Sequence, residues 1–406
     1  MDLSVIVVTS PSPTHPSSAL VDAVVDSLRL LGEAHLWPIL VIADGYVVVE
    51  DSKARSKRGR VTARLAASYD EHLAALVLRQ VDDRQRVLRM DRHIGFAKCV
   101  KRGLEECGTT FALVLQHDRI FFKNVGQDLL TKCIDAMEAD ETIRYIGFPS
   151  INNNQHDEVL STMGLNHVNR PPLRRSIAGL QSAFLQPLGF YYDSNHLVHV
   201  KRVLEIYQPF KHFPGELRER LGEATAKALM ADLLLRDGDF IEDRFGQAMR
   251  RCLMLLRARG PNEADTALTW FGCYLLWVLP TDTVAARQRA NVFVSHLRGR
   301  QRGEEAVISA LQVYTAGESV SDELKPRVSE SVTSSATEIA VFGPLRLSET
   351  LQHGEDDNEE RDEEGGQKEV DAEAGCSHQS QCTCCSAEVE AEVAGLWAWQ
   401  PKSNQG

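Results

Sequence analysis

The sequence predicts an α/β protein: a mostly parallel sheet flanked by helices, followed by an acidic C-terminal tail. Three observations carry that reading. Short unbroken runs of β-branched and apolar residues recur, as in "LSVIVV" (3–8), "WPILVIA" (37–43) and "FALVL" (111–115). Strands of that kind suit a sheet covered on both faces, which is the parallel kind. Each run leads through a polar loop into a stretch of helical periodicity, and strand–helix–strand–helix order calls for right-handed crossovers. The third observation is charge: residues 301–406 hold 22 acidic and 7 basic side chains, so of the whole chain's 57 acidic and 45 basic residues the first 300 keep 35 and 38. The formal net charge of -12 therefore belongs to the tail.

The first strand ends at Thr9, and a Ser-Pro-Ser-Pro loop follows. Ser17 or Ser18 can cap a helix from 19 to 31, with Leu20, Val24, Leu28 and Leu31 on one stripe. The second strand ends at Asp44-Gly45, and a basic loop (52–60) leads to a helix over 62–80. A short third strand, 86–90, gives way to "DRHIGFAKCVKRGLEEC", a loop opening into a helix. The fourth strand stops at Gln116-His117-Asp118 before Ile120-Phe121-Phe122 resumes the apolar run. A helix over 128–139 and a strand over 144–148 follow. Residues 150–185 read as irregular, 190–207 as a strand running into a helix, and 215–236 as a helix. "DGDFIEDRFGQAMRRCLMLLRARG" reads as loop then helix, and Ala267–Pro280 as one buried helix.

Bulk properties narrow the function. At 406 residues the chain suits one large domain or two ordinary ones. Its longest apolar stretch, 267–280, is too short to span a bilayer. Met1-Asp2 leads directly into a strand without a basic leader, which predicts a cytoplasmic setting. Five scattered cysteines (Cys99, Cys107, Cys133, Cys252, Cys273) suit reduced thiols rather than a disulfide framework. The other four, Cys376, Cys382, Cys384 and Cys385, cluster in the tail beside His378 without the spacing of paired CxxC knuckles. No aromatic residues interleave the basic loop, so nucleic acid is not an expected partner. From 301 onward Ser, Thr, Glu and Gly dominate, and that segment lacks the apolar content to offset its ordering entropy. It is expected to be disordered, with "LWAW" (396–399) as a candidate docking motif for a protein partner.

Parallel sheets bind ligands beyond the carboxyl ends of their strands. Thr9, Asp44, Gly95 and Gln116-His117-Asp118 all fall at such ends. Their order and spacing, with "GDFIEDRF" (238–245) and "FVSHLRGR" (293–300), resemble the inverting glycosyltransferases of family-two type, whose nucleotide-diphospho-sugar-binding fold is called GT-A. The resemblance covers residues 3–300, with 1–150 as the nucleotide-sugar half and 151–300 as the acceptor half. It implies that Thr9 leans on the nucleotide, and that Asp44 accepts hydrogen bonds from the base or ribose. It implies close backbone approach to the donor at Gly95, with Lys98 near the diphosphate. Gln116 and Asp118 stand where the family carries D-x-D, whose carboxylates hold Mn2+ or Mg2+ across the donor phosphates. Gln116 departs from that pattern. Asp118 and a late histidine, His296, are the implied metal ligands, and Arg298 an implied diphosphate contact. Glu242-Asp243 match the acidic pair on the acceptor side, Asp243 as general base and Glu242 positioning the acceptor or the base. The donor would be a nucleotide sugar, most plausibly UDP-linked, and the acceptor is not identified.

Each residue also has a bland reading. Asp44 is a natural helix cap or turn residue. Asp118 can pair at the surface with Arg119 or Lys123, and an Glu-Asp dipeptide is common on solvated helices. His117 suits packing better than ligation, His296 is equally a core or surface histidine, and "YYDSNH" (191–196) suits an acceptor pocket or plain packing. Two rival functions follow: a non-catalytic GT-A-like nucleotide-binding or scaffold protein, favoured by Gln116, and a nucleotidyltransferase. The latter needs a cationic Gly-rich loop after the first strand, where this chain has Ser-Pro-Ser-Pro.

Overall fold

Seven residues with no polar relief except Ser4 and the terminal Thr9 form β1 (Leu3–Thr9), and every one is buried. A strand of this composition must be covered on both faces, and β1 is. The computed structural model of the protein describes residues 2–297 except 55–57, 79–83, 124, 126, 151–152, 155, 261 and 279–291.

Thirteen strands and eleven helices are described, in chain order. The elements of residues 1–150 are β1, α1 (Ala19–Ser27), β2 (Ile39–Ala43), β3 (Val47–Val48), β4 (Arg60–Val61), α2 (Ala63–Leu78), β5 (Gln85–Arg89), α3 (Gly95–Glu106), β6 (Phe111–Gln116), β7 (Arg119–Phe121), α4 (Gln127–Ala139) and β8 (Tyr145–Gly147). Then come α5 (His156–Thr162), β9 (Arg175–Ile177), β10 (Leu180–Pro187), β11 (His196–His199), α6 (Val200–Ile206), α7 (Pro209–His212), α8 (Gly215–Leu221), α9 (Glu223–Leu233), α10 (Gln247–Arg257), α11 (Glu263–Phe271), β12 (Cys273–Val278) and β13 (Val294–His296).

Nine strands make one sheet in the order β5-β2-β1-β6-β11-β8-β12-β10-β9. The first four are parallel neighbours, with Val5 beside Ile39 and Leu113. Strand β11 runs against β6 and β8, β12 is parallel to β8, and β10 runs against both β12 and β9. The sheet is therefore mostly parallel, with β11 and β10 reversed.

Side-chain alternation along the strands divides the interior in two. Ile6 and Val8 join Leu40, Ile42 and Val114 in a core covered by α3, α6 and α8–α11. Leu3, Val5 and Val7 join Val41, Leu113 and Leu115 in a second core under α1, α2 and α4. Each fully buried Val, Leu or Ile contributes about 1.5–3 kcal/mol.

Three expectations are corrected. Ala267–Pro280 is not one helix: it is α11, a left-handed Gly272 and then β12, which runs parallel to β8. Gly272 has φ 60°, and a Cβ there would lie 2.0 Å from the Thr142 carbonyl oxygen. No other residue fits that turn, and it redirects an apolar run from helix to sheet. Residues 150–185 are not irregular throughout, since they contain α5, β9 and most of β10. The helix expected over 215–236 is broken at Gly222 into α8 and α9. Among the described residues the five cysteines are free thiols, and no helix is long and apolar enough to cross a membrane. The Cys cluster, "LWAW" and Arg298 lie outside the described residues, as does the side chain of His296.

Candidate active site

Strands β1 and β2 end level with one another at Thr9 and Ala43, and β6 ends one residue short of them, with Gln116 beside Val8. Beyond those ends lies a cleft of about 500 Å³. Asp44, Gly95, Gln116, Asp118, Glu242 and Asp243 all line it, although they are up to 199 positions apart in the chain. The Ser10–Pro13 loop forms part of its rim, and Phe96 and Phe240, their rings stacked 6.0 Å apart, give it an apolar wall.

Asp44 is 2% exposed and its carboxylate is heavily engaged. Oδ1 accepts the Ile94 N–H at 2.8 Å, Oδ2 accepts the Gly95 N–H at 3.1 Å, and His93 Nδ1 lies 2.7 Å from Oδ2. It thus caps α3 from across the sheet, placing a negative charge where the helix has unsatisfied donors. Gly95, with φ 81°, makes its close approach to protein: a Cβ there would meet the Gly238 backbone at 2.7 Å. Hydrogen bonds from Gly238 N to Ile94 O (2.9 Å) and Ala97 N to Asp239 O (3.1 Å) stitch the same seam.

Thr9 lies under the floor rather than on it. It is fully buried, its carbonyl accepts from Tyr69 Oη at 3.4 Å, and its Oγ1 has no hydrogen-bond partner. Lys98 does not line the cleft. It reaches Asp237 at 2.5 Å, as Arg92 does at 2.6 Å, so it ties α3 to the 237–240 wall from outside.

Gln116 Nε2 donates to the Asp193 carbonyl at 2.8 Å. The His117 N–H donates to Val8 O at 3.1 Å and its ring Nδ1 lies 3.3 Å from the same oxygen, so this side chain braces β1. Asp118 is half-buried in the cleft, and its carbonyl accepts the Leu297 N–H at 2.6 Å. The β13 backbone pairs with β7 so that His296 stands opposite Arg119, next to Asp118.

Glu242 opens a π-helical turn, Glu242–Gly246, closed by Gly246 N donating to Ile241 O at 2.8 Å. Turns of this kind recur at functional sites. The turn buries most of Glu242, whose Oε1 accepts the Asp193 N–H at 2.6 Å, while Asp243 is left exposed at the cleft. Burial pushes the Glu242 carboxyl above its usual range; the neighbouring Asp243 charge adds to this, and the Asp193 backbone and Arg119 oppose it. Burial also pushes Asp193 well above the carboxylate range, reinforced by Glu242 and opposed by a Glu242 backbone hydrogen bond and Arg119. A carboxylate cluster of this kind holds protons or awaits positive charge.

Sequence reasoning missed Arg119 and His93 as lining residues, whereas Asp193, within the segment 191–196 read as acceptor pocket or packing, does line the cleft. Arg119 Nε is buried without a hydrogen-bond partner, and its charge is felt by both Asp193 and Glu242. Arg119 had a readable signal, a cation directly after the strand-end acid. His93 enters through a contact with Asp44, 49 positions away, which no local pattern carries.

No family model matches the chain, and no curated protein matches it. Among solved structures it is similar to glucosyl-3-phosphoglycerate synthase from Mycobacterium tuberculosis in complex with Mn2+, UDP and glucosyl-3-phosphoglycerate, at 11% identity over 78% of this chain and 80% of that one, TM-score 0.33. It is also similar to S. aureus TarS 1-349 (14% identity, 67% and 70% covered, TM-score 0.33). A third is GalNAc-T7 with UDP, GalNAc and Mn2+ (12% identity, 68% and 41% covered, TM-score 0.32).

Proposed function

We propose that this protein is a GT-A-type glycosyltransferase that moves a sugar from a nucleotide-diphospho-sugar, a UDP-sugar, to an acceptor hydroxyl with inversion. The observation that carries the reading is convergence: Asp44, Gly95, Gln116, Asp118, Glu242 and Asp243 line one cleft at the carboxyl ends of the parallel strands. That is where open α/β sheets take their ligands, and about 500 Å³ suits a nucleotide-sized molecule.

In this reading the acceptor hydroxyl attacks the anomeric carbon. The new C–O bond forms as the bond to the phosphate oxygen breaks, the bonding pair leaves with the nucleoside diphosphate, and the hydroxyl proton passes to Asp243. Asp243 suits this role because it is exposed in the cleft, whereas Glu242 is committed to the Asp193 backbone. The departing diphosphate needs positive charge, and Arg119 is the cleft residue that supplies it. Mn2+ or Mg2+ would supply more. Asp118, the half-buried carboxylate lining the cleft just past β6, would hold it together with phosphate oxygens of the donor, the kind of oxygen ligand that hard dications accept.

Calorimetry with UDP, with and without Mn2+, combined with donor turnover by Asp243→Asn, tests the reading. Asp243→Asn should bind UDP like the wild type and lose at least about 100-fold in transfer or donor hydrolysis. Undiminished turnover would remove Asp243 as the base, and a wild type that binds no nucleotide would favour the scaffold alternative.

A further inference from the structure

The segment Tyr191–His196 is polar and buried, and most of it precedes β11 as irregular backbone. Asp193, Ser194, Asn195 and His196 are each at most 3% exposed. Burying such a stretch is unfavourable unless its polar groups are satisfied, and almost every residue of it is tethered. Tyr145 Oη donates to Tyr192 O at 3.0 Å, Asn153 Nδ2 donates to Ser194 Oγ at 2.9 Å, and His196 Nδ1 lies 2.6 Å from Ser194 O. Asn195 Nδ2 donates to Arg119 O at 3.1 Å.

Asp193 is held at both ends of its own residue. Glu242 Oε1 takes its N–H at 2.6 Å, and Gln116 Nε2 gives a hydrogen bond to its carbonyl at 2.8 Å. An amide is required for the second contact: a carboxylate at 116 has no donor and would face a carbonyl oxygen. Within this fixed segment three side-chain atoms are buried without a hydrogen-bond partner, Asp193 Oδ1, Asn195 Oδ1 and His196 Nε2, and of these residues Asp193 lines the cleft. It sits between Gln116, two positions from Asp118, and Glu242, which precedes Asp243. In a displacement reaction the transferred sugar lies between the diphosphate and the base.

We propose that Asp193 is a substrate-binding residue whose Oδ1 accepts a hydrogen bond from a hydroxyl of the transferred sugar, and that Gln116 and Glu242 are positioning residues acting through its peptide group. This rests on the nucleotide-sugar reading above. It also gives the departure at 116 a cause: the strand-end carboxylate has given way to a donor, and the acid of that region comes from the opposite side of the cleft.

The test is calorimetric titration of the full chain, in Mn2+, with UDP and with UDP-glucose, UDP-galactose and UDP-N-acetylglucosamine. Asp193→Ala should keep its UDP affinity within about twofold and lose about tenfold for the UDP-sugar that the wild type prefers, with the isosteric Asp193→Asn between the two. Gln116→Glu should show the same sugar-selective loss, together with faster amide hydrogen exchange over 193–196. Equal binding of UDP-sugar by wild type and Asp193→Ala would overturn the proposal while leaving nucleotide binding intact. Equal weakening of UDP and UDP-sugar in Gln116→Glu would place residue 116 at the diphosphate and overturn its positioning role. A wild type that binds none of the four nucleotides would overturn both this proposal and the reading beneath it.

Discussion

Replacing Gly95 with alanine should separate the two walls of the cleft. The residue has φ 81°, which an L side chain adopts at a cost of about 1–2 kcal/mol. Its new Cβ would also stand 2.7 Å from the Gly238 backbone, where neither partner has a flexible side chain to move aside. Relief requires the 237–240 segment to back away, which weakens the Gly238–Ile94 and Ala97–Asp239 hydrogen bonds, each worth about 1 kcal/mol. The sum is about 3 kcal/mol, or a fall in Tm of about 5 °C for a domain of this size. Gly108→Ala is the control, because φ is 68° there but nothing lies within 4 Å of the added carbon. It should cost only the backbone part, about 1–2 kcal/mol. Thermal unfolding of both variants followed by near-ultraviolet circular dichroism measures the difference. If the two midpoints agree within about 1 °C, the backbone contact at Gly95 has no energetic weight and the seam is not what positions the cleft.

Two further outcomes are expected. Arg119→Ala should weaken UDP binding by about tenfold, as loss of a charge-assisted contact to phosphate does, whereas Lys98→Ala should change it less than twofold because Lys98 is spent on Asp237 outside the cleft; the reverse ranking in a titration would restore Lys98 to the diphosphate. The fold should also lose stability on mild acidification. Burial holds His15 and His156 down to about 3 and His196 to about 4. Unfolded histidine takes its proton near 6.5, so below that pH the unfolded chain binds more protons, and each such histidine removes about 1.4 kcal/mol per pH unit until its folded pKa is reached. Glu242 and Asp193, raised in the fold, act in the opposite direction and soften the slope. Urea midpoints should fall between pH 7 and 5, and a flat or rising profile would contradict the neutral, buried state of these rings.

The parallel half of the sheet was legible because its strands are continuous apolar runs whose burial leaves no ambiguity, as in β1, β2 and β6. Strand β10 was not, since "LQSAFLQP" pairs antiparallel with β12 almost a hundred positions away and carries no unbroken run of its own. The stretch 267–280 misled for a different reason: apolar content says buried, and only the tertiary clash at Gly272 says where helix yields to strand. In the site, the strand-end residues could be placed from sequence because parallel topology sends every such end to one side. What they do there could not. Asp44 reads as a ligand contact or a cap with equal ease, and only its two backbone N–H partners reveal the cap. Lys98 sits one helical turn from Gly95, yet its charge is claimed by Asp237. Asp193 depends on pairings with 116 and 242 that no window of sequence contains.

The sheet keeps its two apolar layers apart, with neighbouring residues of β1 looking into different ones. Substitutions in one layer and in the other share no partners, so their effects should accumulate independently. Over long divergence each layer can then be rewritten on its own timetable while the strand ends between them stay fixed, which lets a chain drift far in sequence and still keep one rim of polar groups in register.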